Sequence, residues 1–237
     1  MNPASPSVSP MKRFFDSELE TLRSDLFRMG AEVVDLLRRA LQAYAACDAA
    51  AAEQIIRGDD VIDQLELRID EEALRYINLR SPIATELRVI VTGMKASHDL
   101  ERAADEITKI ARRVRSLSKE SPLKTSVDIV AMGEIAADML SQALDCFIAA
   151  DEARALAVCR RDGEVDRMNR QLFEELTQVM TLHPEAVARA IDLMFVSKAI
   201  ERVADHATNI AEETIFLFKG KDIRHSPELK HPEPLAQ

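Results

Sequence analysis

Two stretches of the chain carry acidic side chains at a spacing that suits cation chemistry: Leu100-Glu101-Arg102-x-x-Asp105 and Ile200-Glu201-Arg202-x-x-Asp205. On a helix, residues four apart lie on one face, so each Glu–Asp pair offers two carboxylates to the same neighbourhood. Like charges so placed repel by a few tenths of a kcal/mol in an isolated helix, and a cation removes that repulsion. Carboxylate oxygens are hard donors suited to Mg, Mn or Ca, and Fe and Zn accept them as well. The bland alternative is a solvated face, with Arg102, Arg202 and Lys109 neutralising the acids in surface ion pairs worth ~0–1 kcal/mol.

Other reactive residue types add little. His98 and His206 flank the motifs at non-equivalent positions and are expected to be exposed or ion-paired. His206 follows Asp205 directly and points about 100° away around a helix, a poor position for a co-ligand. Cys47, Cys146 and Cys159 are odd in number and lack CxxC spacing, which predicts small core residues in a reducing, cytoplasmic compartment. Met29, Met94, Met132, Met139, Met180 and Met194 are expected to fill core gaps. No GxxxxGK[ST], GxGxxG, GxSxG or HExxH motif occurs. A carboxylate-bridged di-metal enzyme of ferritin-like type needs Glu-x-x-His pairs on inward-facing helices, and the helical segments contain none. That enzyme remains the alternative reading, together with a metal-free helical scaffold.

The elements that must position these residues are helices. The chain has 237 residues, 47% hydrophobic, with only six Gly, no Trp, two Tyr and eight Phe. It favours Ala, Leu, Glu, Arg, Met and Asp, mostly good helix formers, and is poor in the aromatics that strands prefer. The expected fold is all-α. A formal net charge of −10 without a basic, aromatic-bearing face argues against nucleic acid and against an anionic membrane surface. No stretch of 18 apolar residues predicts a membrane span, and the N-terminus lacks the apolar run of a secretory signal.

The chain also reads as a duplication. Between Met29 and Glu72, residue n matches residue n+103 at Met29/Met132, Gly30/Gly133, Asp35/Asp138, Leu37/Leu140, Ala40/Ala143, Leu41/Leu144, Ala46/Ala149 and Asp48/Asp151. Further matches are Ala50/Ala153, Ala52/Ala155, Arg57/Arg160, Asp59/Asp162, Asp63/Asp166, Glu71/Glu174 and Glu72/Glu175. The offset then drops to 100, where MKASHDLERAADEITKIA (94–111) aligns with MFVSKAIERVADHATNIA (194–211). The change falls near Pro82 and Pro184, where a loop would absorb it.

Each copy predicts an antiparallel three-helix bundle. The first long helix spans about Met11–Ala46, with a partner at about Thr125–Ala149; Leu19, Leu22, Leu26, Met29, Val33, Leu36, Leu37 and Ala40 mark its apolar stripe. Asp48 and Asp151 are expected to cap a short Ala-rich helix, and Gly58 and Gly163 to mark the next turn. The second long helix covers about Asp59–Leu79 and Glu164–Thr181, and the third about Ile83–Ser116 and Pro184–Lys219. The third carries the stripe Ile90, Leu100, Ala103, Ile107, Ile110 and Val114 beside the acidic motif. The expected organisation is a disordered terminus over 1–10, a first bundle over 11–116, a linker over 117–124, a second bundle over 125–219 and a disordered tail over 220–237. His225 and His231 fall in that tail and are not expected to bind metal.

The stretches ATELRVIVTGMKASHDLERAADEITKIA and AIDLMFVSKAIERVADHATNIAE resemble the two signature helices of the PhoU family of phosphate-transport accessory regulators. The resemblance runs from about Phe14 to Phe218, in order and with the tandem layout. It implies two three-helix bundles and metal ions or clusters, whose identity among Fe, Zn, Mg, Mn and Ca it leaves open. By position the ligands would be Glu101, Asp105, Glu201 and Asp205, with Asn209 extending the second motif by a turn; Lys109 stands at that place in the first. Asp35 and Asp138 are second-tier candidates. It further implies a non-enzymatic, cytoplasmic negative regulator, often a homodimer, linking a phosphate ABC importer and its ATPase to a phosphate-sensing histidine kinase. Neither nucleic acid nor membrane insertion is implied.

Overall fold

A computed structural model describes residues 10–58, 60–83, 85–149 and 151–219, all in helices and their connections. The order is α1 (Pro10–Ala45), α2 (Ala49–Arg57), α3 (Asp60–Arg80), α4 (Thr85–Leu117), α5 (Ile129–Ala149), α6 (Glu152–Leu182), a 3-10 turn Pro184–Ala186, and α7 (Val187–Lys219). The expected disordered ends at 1–10 and 220–237 lie, but for Pro10, outside the described residues, as do His225 and His231.

The apolar periodicity becomes burial. Leu26, Met29, Val33, Leu37 and Ala40 of α1 and Ile90, Leu100, Ala103, Ile107, Ile110 and Val114 of α4 are all buried. At ~25 cal/mol per Å² of apolar surface, each such Leu, Ile, Val or Met side chain contributes about 1.5–3 kcal/mol before the entropy of ordering it is subtracted. The Asp48 carboxylate accepts from the Ala50 and Ala51 amides and the Asp151 carboxylate from the Arg154 amide, so both caps form.

Three local expectations are corrected. Gly163 marks no turn: α6 runs unbroken through it, merging what the first half splits into α2 and α3. α6 packs extensively against α7, and that tertiary contact overrides glycine's weak helix preference. The second copy of the first helix starts at Ile129 rather than near Thr125. There the Asp128 carboxylate accepts from the Val130 and Ala131 amides, while Glu175 of α6 takes the Ser126 amide and hydroxyl. Cys47 is exposed rather than in the core, because the turn closing α1 passes through it at φ 51°; Cys146 and Cys159 are buried as expected.

The two copies pack against each other along equivalent helices. α4 lies antiparallel to α7, the most extensive contact of the molecule, and α1 lies antiparallel to α5. Along α4 and α7, Arg88 donates to the Leu217 carbonyl, Lys95 pairs with Glu213, Asp99 meets His206, Glu106 takes Arg202, and Arg113 takes Asp192. Between α1 and α5, Leu144 fills the space over Gly30 and Leu41 fills the space over Gly133. Those two contacts are one contact seen from each copy, the signature of a twofold relation. The main core runs through both copies. A satellite cluster of Leu22, Ala73, Tyr76 and Ile90 anchors the part of α1 that precedes the repeat.

Candidate metal centre

Each acidic motif faces the second long helix of its own copy. In the first half, α4 carries Glu101 and Asp105 past α3, whose Asp63 and Glu66 lie close enough to perturb Glu101 electrostatically. Glu66 also meets His98, with 3.2 Å between Glu66 Oε1 and His98 Nδ1. Donor atoms of Glu66, His98 and Glu101 lie within 4.8 Å of one another. Among the described residues, no other three His, Cys, Asp or Glu donors converge in this way. Burial, then the Asp105 and Glu66 carboxylates, raise the Glu101 carboxyl above its ordinary range, against the opposing pull of His98.

In the second half, α7 carries Glu201 and Asp205 past α6, where Asp162 and Asp166 stand in place of Asp59 and Asp63. The Asp205 carboxyl is pushed up to about 6, by desolvation first and then by Glu201 and Asp162, with Lys198 opposing. Lys198 is ion-paired with Glu201 one turn along the helix. It occupies the position of His98, and Asn169 occupies the position of Glu66. Asn169 is buried and accepts a 2.6 Å hydrogen bond from the Ser197 hydroxyl.

The remaining candidates sit elsewhere. The Asn209 amide donates to Asp99 Oδ1 at 3.0 Å, beside the 2.8 Å contact of His206 Nδ1 with the same oxygen. The NH₂ group of Asn209 is thus held to α4. Lys109, its counterpart, bonds Glu106 at 2.9 Å, and Arg202 reaches the same Glu106 oxygen at 3.1 Å. Arg202 therefore neutralises a partner on α4 rather than its neighbour Glu201. His98 is exposed and meets Glu66, and His206, though buried, meets Asp99, so each is partnered by a carboxylate as expected. Asp35 and Asp138 are exposed on the α1/α5 face, 3.7 Å from Arg39 and Arg38 respectively.

A cation's fit is decided by donor chemistry. The first half offers two carboxylates and an imidazole, with Asp63 and Asp105 near, an N/O set that a divalent transition ion accepts. Glu66, which the sequence reading passed over, belongs to this set. The signal lay on α3: Asp59 and Asp63 recur as Asp162 and Asp166, an acidic face carried by both copies. Asp59 itself lies outside the described residues.

The chain is similar to known proteins over most of its length. The sequence model of one family, described as the PhoU domain, matches residues 26–114 and again 129–214. A phosphate-specific transport system accessory protein PhoU homolog of Pseudomonas aeruginosa is 38% identical over 213 residues, 89% of this chain and 88% of that protein. The homolog of Clostridium acetobutylicum is 34% identical over 213 residues, 90% of this chain and 97% of that protein. The crystal structure of PhoU from Pseudomonas aeruginosa superposes with a TM-score of 0.84 at 37% identity, covering 87% of this chain and 100% of that one. The phosphate transport system regulatory protein PhoU from Streptococcus pneumoniae superposes with a TM-score of 0.82 at 28% identity, covering 88% and 98%.

Proposed function

The chain belongs to the PhoU family, and from that premise we propose that it is an accessory protein of a phosphate-specific transport system that restrains phosphate uptake and phosphate-starvation signalling when phosphate is plentiful. The observation that carries the reading is the double match of the family's domain across both halves of the chain. In this reading the protein works by contact, as a cytoplasmic homodimer between a phosphate ABC importer with its ATPase and a phosphate-sensing histidine kinase. The names of the relatives describe accessory and regulatory roles and no reaction. No helix among the described residues is long and apolar enough to cross a membrane.

The acidic motifs serve as cation sites in this reading. Glu66, His98 and Glu101 would hold an ion that bridges α3 to α4, and it would supply charge neutralisation, not redox or hydrolytic chemistry. What supports this is the convergence of the three donors and the burial that makes an ionised Glu101 unfavourable. A neutralising ion relieves that penalty.

The test is deletion of the gene in its native host grown in ample phosphate. Starvation-induced promoters are expected to be switched on, and unchanged expression would sink the regulatory reading. Affinity capture from the same cytoplasm is expected to recover an importer ATPase or a sensor kinase.

A further inference from the structure

The duplication supplies its own control. Helix, spacing and acidic face are shared by the two halves, yet two positions differ: His98 becomes Lys198 and Glu66 becomes Asn169. In the first half these positions offer a lone-pair nitrogen and a carboxylate oxygen, both within reach of Glu101. In the second half one is an ammonium, which has no lone pair to give a metal. That ammonium is already ion-paired with Glu201, whose side chain is only 13% exposed. The other is a neutral amide whose oxygen is committed to the Ser197 hydroxyl.

Resting on the cation-binding reading above, we propose that the two motifs are unequal, with Lys198 serving as a built-in cation that closes the second site, so that each chain takes one divalent ion, at Glu66, His98 and Glu101. An ion approaching the second site must displace Lys198 from Glu201 and accept its positive charge as a neighbour. An ion approaching the first meets the Glu66 and Glu101 carboxylates and the His98 ring nitrogen, with no ammonium standing at the equivalent place. The imidazole also sets the class of ion. A mixed N/O donor set suits transition ions such as Zn²⁺, Fe²⁺ or Co²⁺ over Mg²⁺ and Ca²⁺, which prefer oxygen alone. The consequence is geometric as well as chemical. An ion at the first site ties α3 to α4, while α6 and α7 stay joined by the buried Asn169–Ser197 bond regardless of metal supply, the Lys198–Glu201 pair lying within α7 itself. Cation availability would therefore be felt by the first copy only.

The experiment exchanges the distinguishing residue between the copies. Both positions tolerate it, since the His98 side chain is 63% exposed and that of Lys198 is 43% exposed. Full-length protein stripped with chelator is dialysed against Co²⁺, with bound metal counted by elemental analysis and its ligand field read from the visible spectrum. The wild type is expected to bind one Co²⁺ with an N/O spectrum free of thiolate bands. H98K is expected to weaken binding by at least about tenfold, as for loss of a ligand and gain of a like charge. K198H is expected to raise the count to two. Circular dichroism and thermal melting confirm that both variants remain folded. Two ions on the wild type, or a K198H count that stays at one, overturns this proposal and leaves the cation reading standing. No cobalt on any of the three proteins sinks the cation reading itself, and this proposal with it.

Discussion

At the scale of single residues, burial and neighbouring carboxylates raise both Glu101 and Asp205 above the ordinary carboxyl range. Asp205 titrates near 6 in the folded chain, against about 3.9 in an unfolded one. Between those values the folded state holds the extra proton, so this group's contribution to stability grows as pH falls from 6 towards 4 and is lost as pH rises through 6. D205N removes the penalty. In the presence of chelator it is expected to raise the melting temperature at pH 7.5 by about 2–4 °C, near 1 kcal/mol for a chain of this size after screening by water. At pH 4 the difference from wild type should vanish. A variant less stable than wild type at pH 7.5 would show that Asp205 is held as an anion by a partner. The same scale explains which site residues were legible. Glu101, Asp105, Glu201 and Asp205 announce themselves by spacing within one helix. Glu66 does not, because it joins them from a different helix and no local period links α3 to α4. Asn209 fits the spacing, yet its amide is drawn to Asp99 across the α4/α7 interface.

At the scale of elements, glycine shows how context sets meaning. A Cβ on Gly30 would lie 2.1 Å from Leu144 Cδ1, and one on Gly133 would lie 2.3 Å from Leu41 Cδ2. Both leucines are buried and would have to turn aside to admit the methyl group. G30A is therefore expected to destabilise the fold by about 1–3 kcal/mol through overpacking. Gly163 has no neighbouring atom within 4 Å of a Cβ position. G163A is expected to stabilise by about 0.5–1 kcal/mol through helix propensity alone. Chemical denaturation of the two variants checks the opposite signs, and equal effects would refute the packing argument. The helices themselves were readable from the 3.6-residue recurrence of Leu, Ile, Ala and Met, and the caps from Asp48 and Asp151. The break expected at Gly163 was not there, since a glycine's local signal is weak against a helix clamped along its length. Nor could periodicity reveal that α4 would be covered by α7, because it marks which face is apolar and not which helix covers it.

At the scale of the whole molecule, the repeats are inseparable. The α4/α7 and α1/α5 contacts both cross between copies, and the main core draws on both. One unfolding transition is expected, with calorimetric and van't Hoff enthalpies equal. Two resolved transitions would mean that each half carries its own sufficient core. Partly buried charged pairs such as Arg113–Asp192 at 2.9 Å and Lys95–Glu213 at 3.0 Å bridge the halves at opposite ends of the shared interface.

Because Gly30 receives Leu144 just as Gly133 receives Leu41, the chain's outline nearly maps onto itself when turned end over end. A binding protein that gripped only the shape of the backbone would meet two matching handholds and could seat either way round. What breaks the tie is the handful of places where the copies diverged in charge, His98 against Lys198 and Lys109 against Asn209. Orientation, for such a molecule, is written in side-chain chemistry rather than in form.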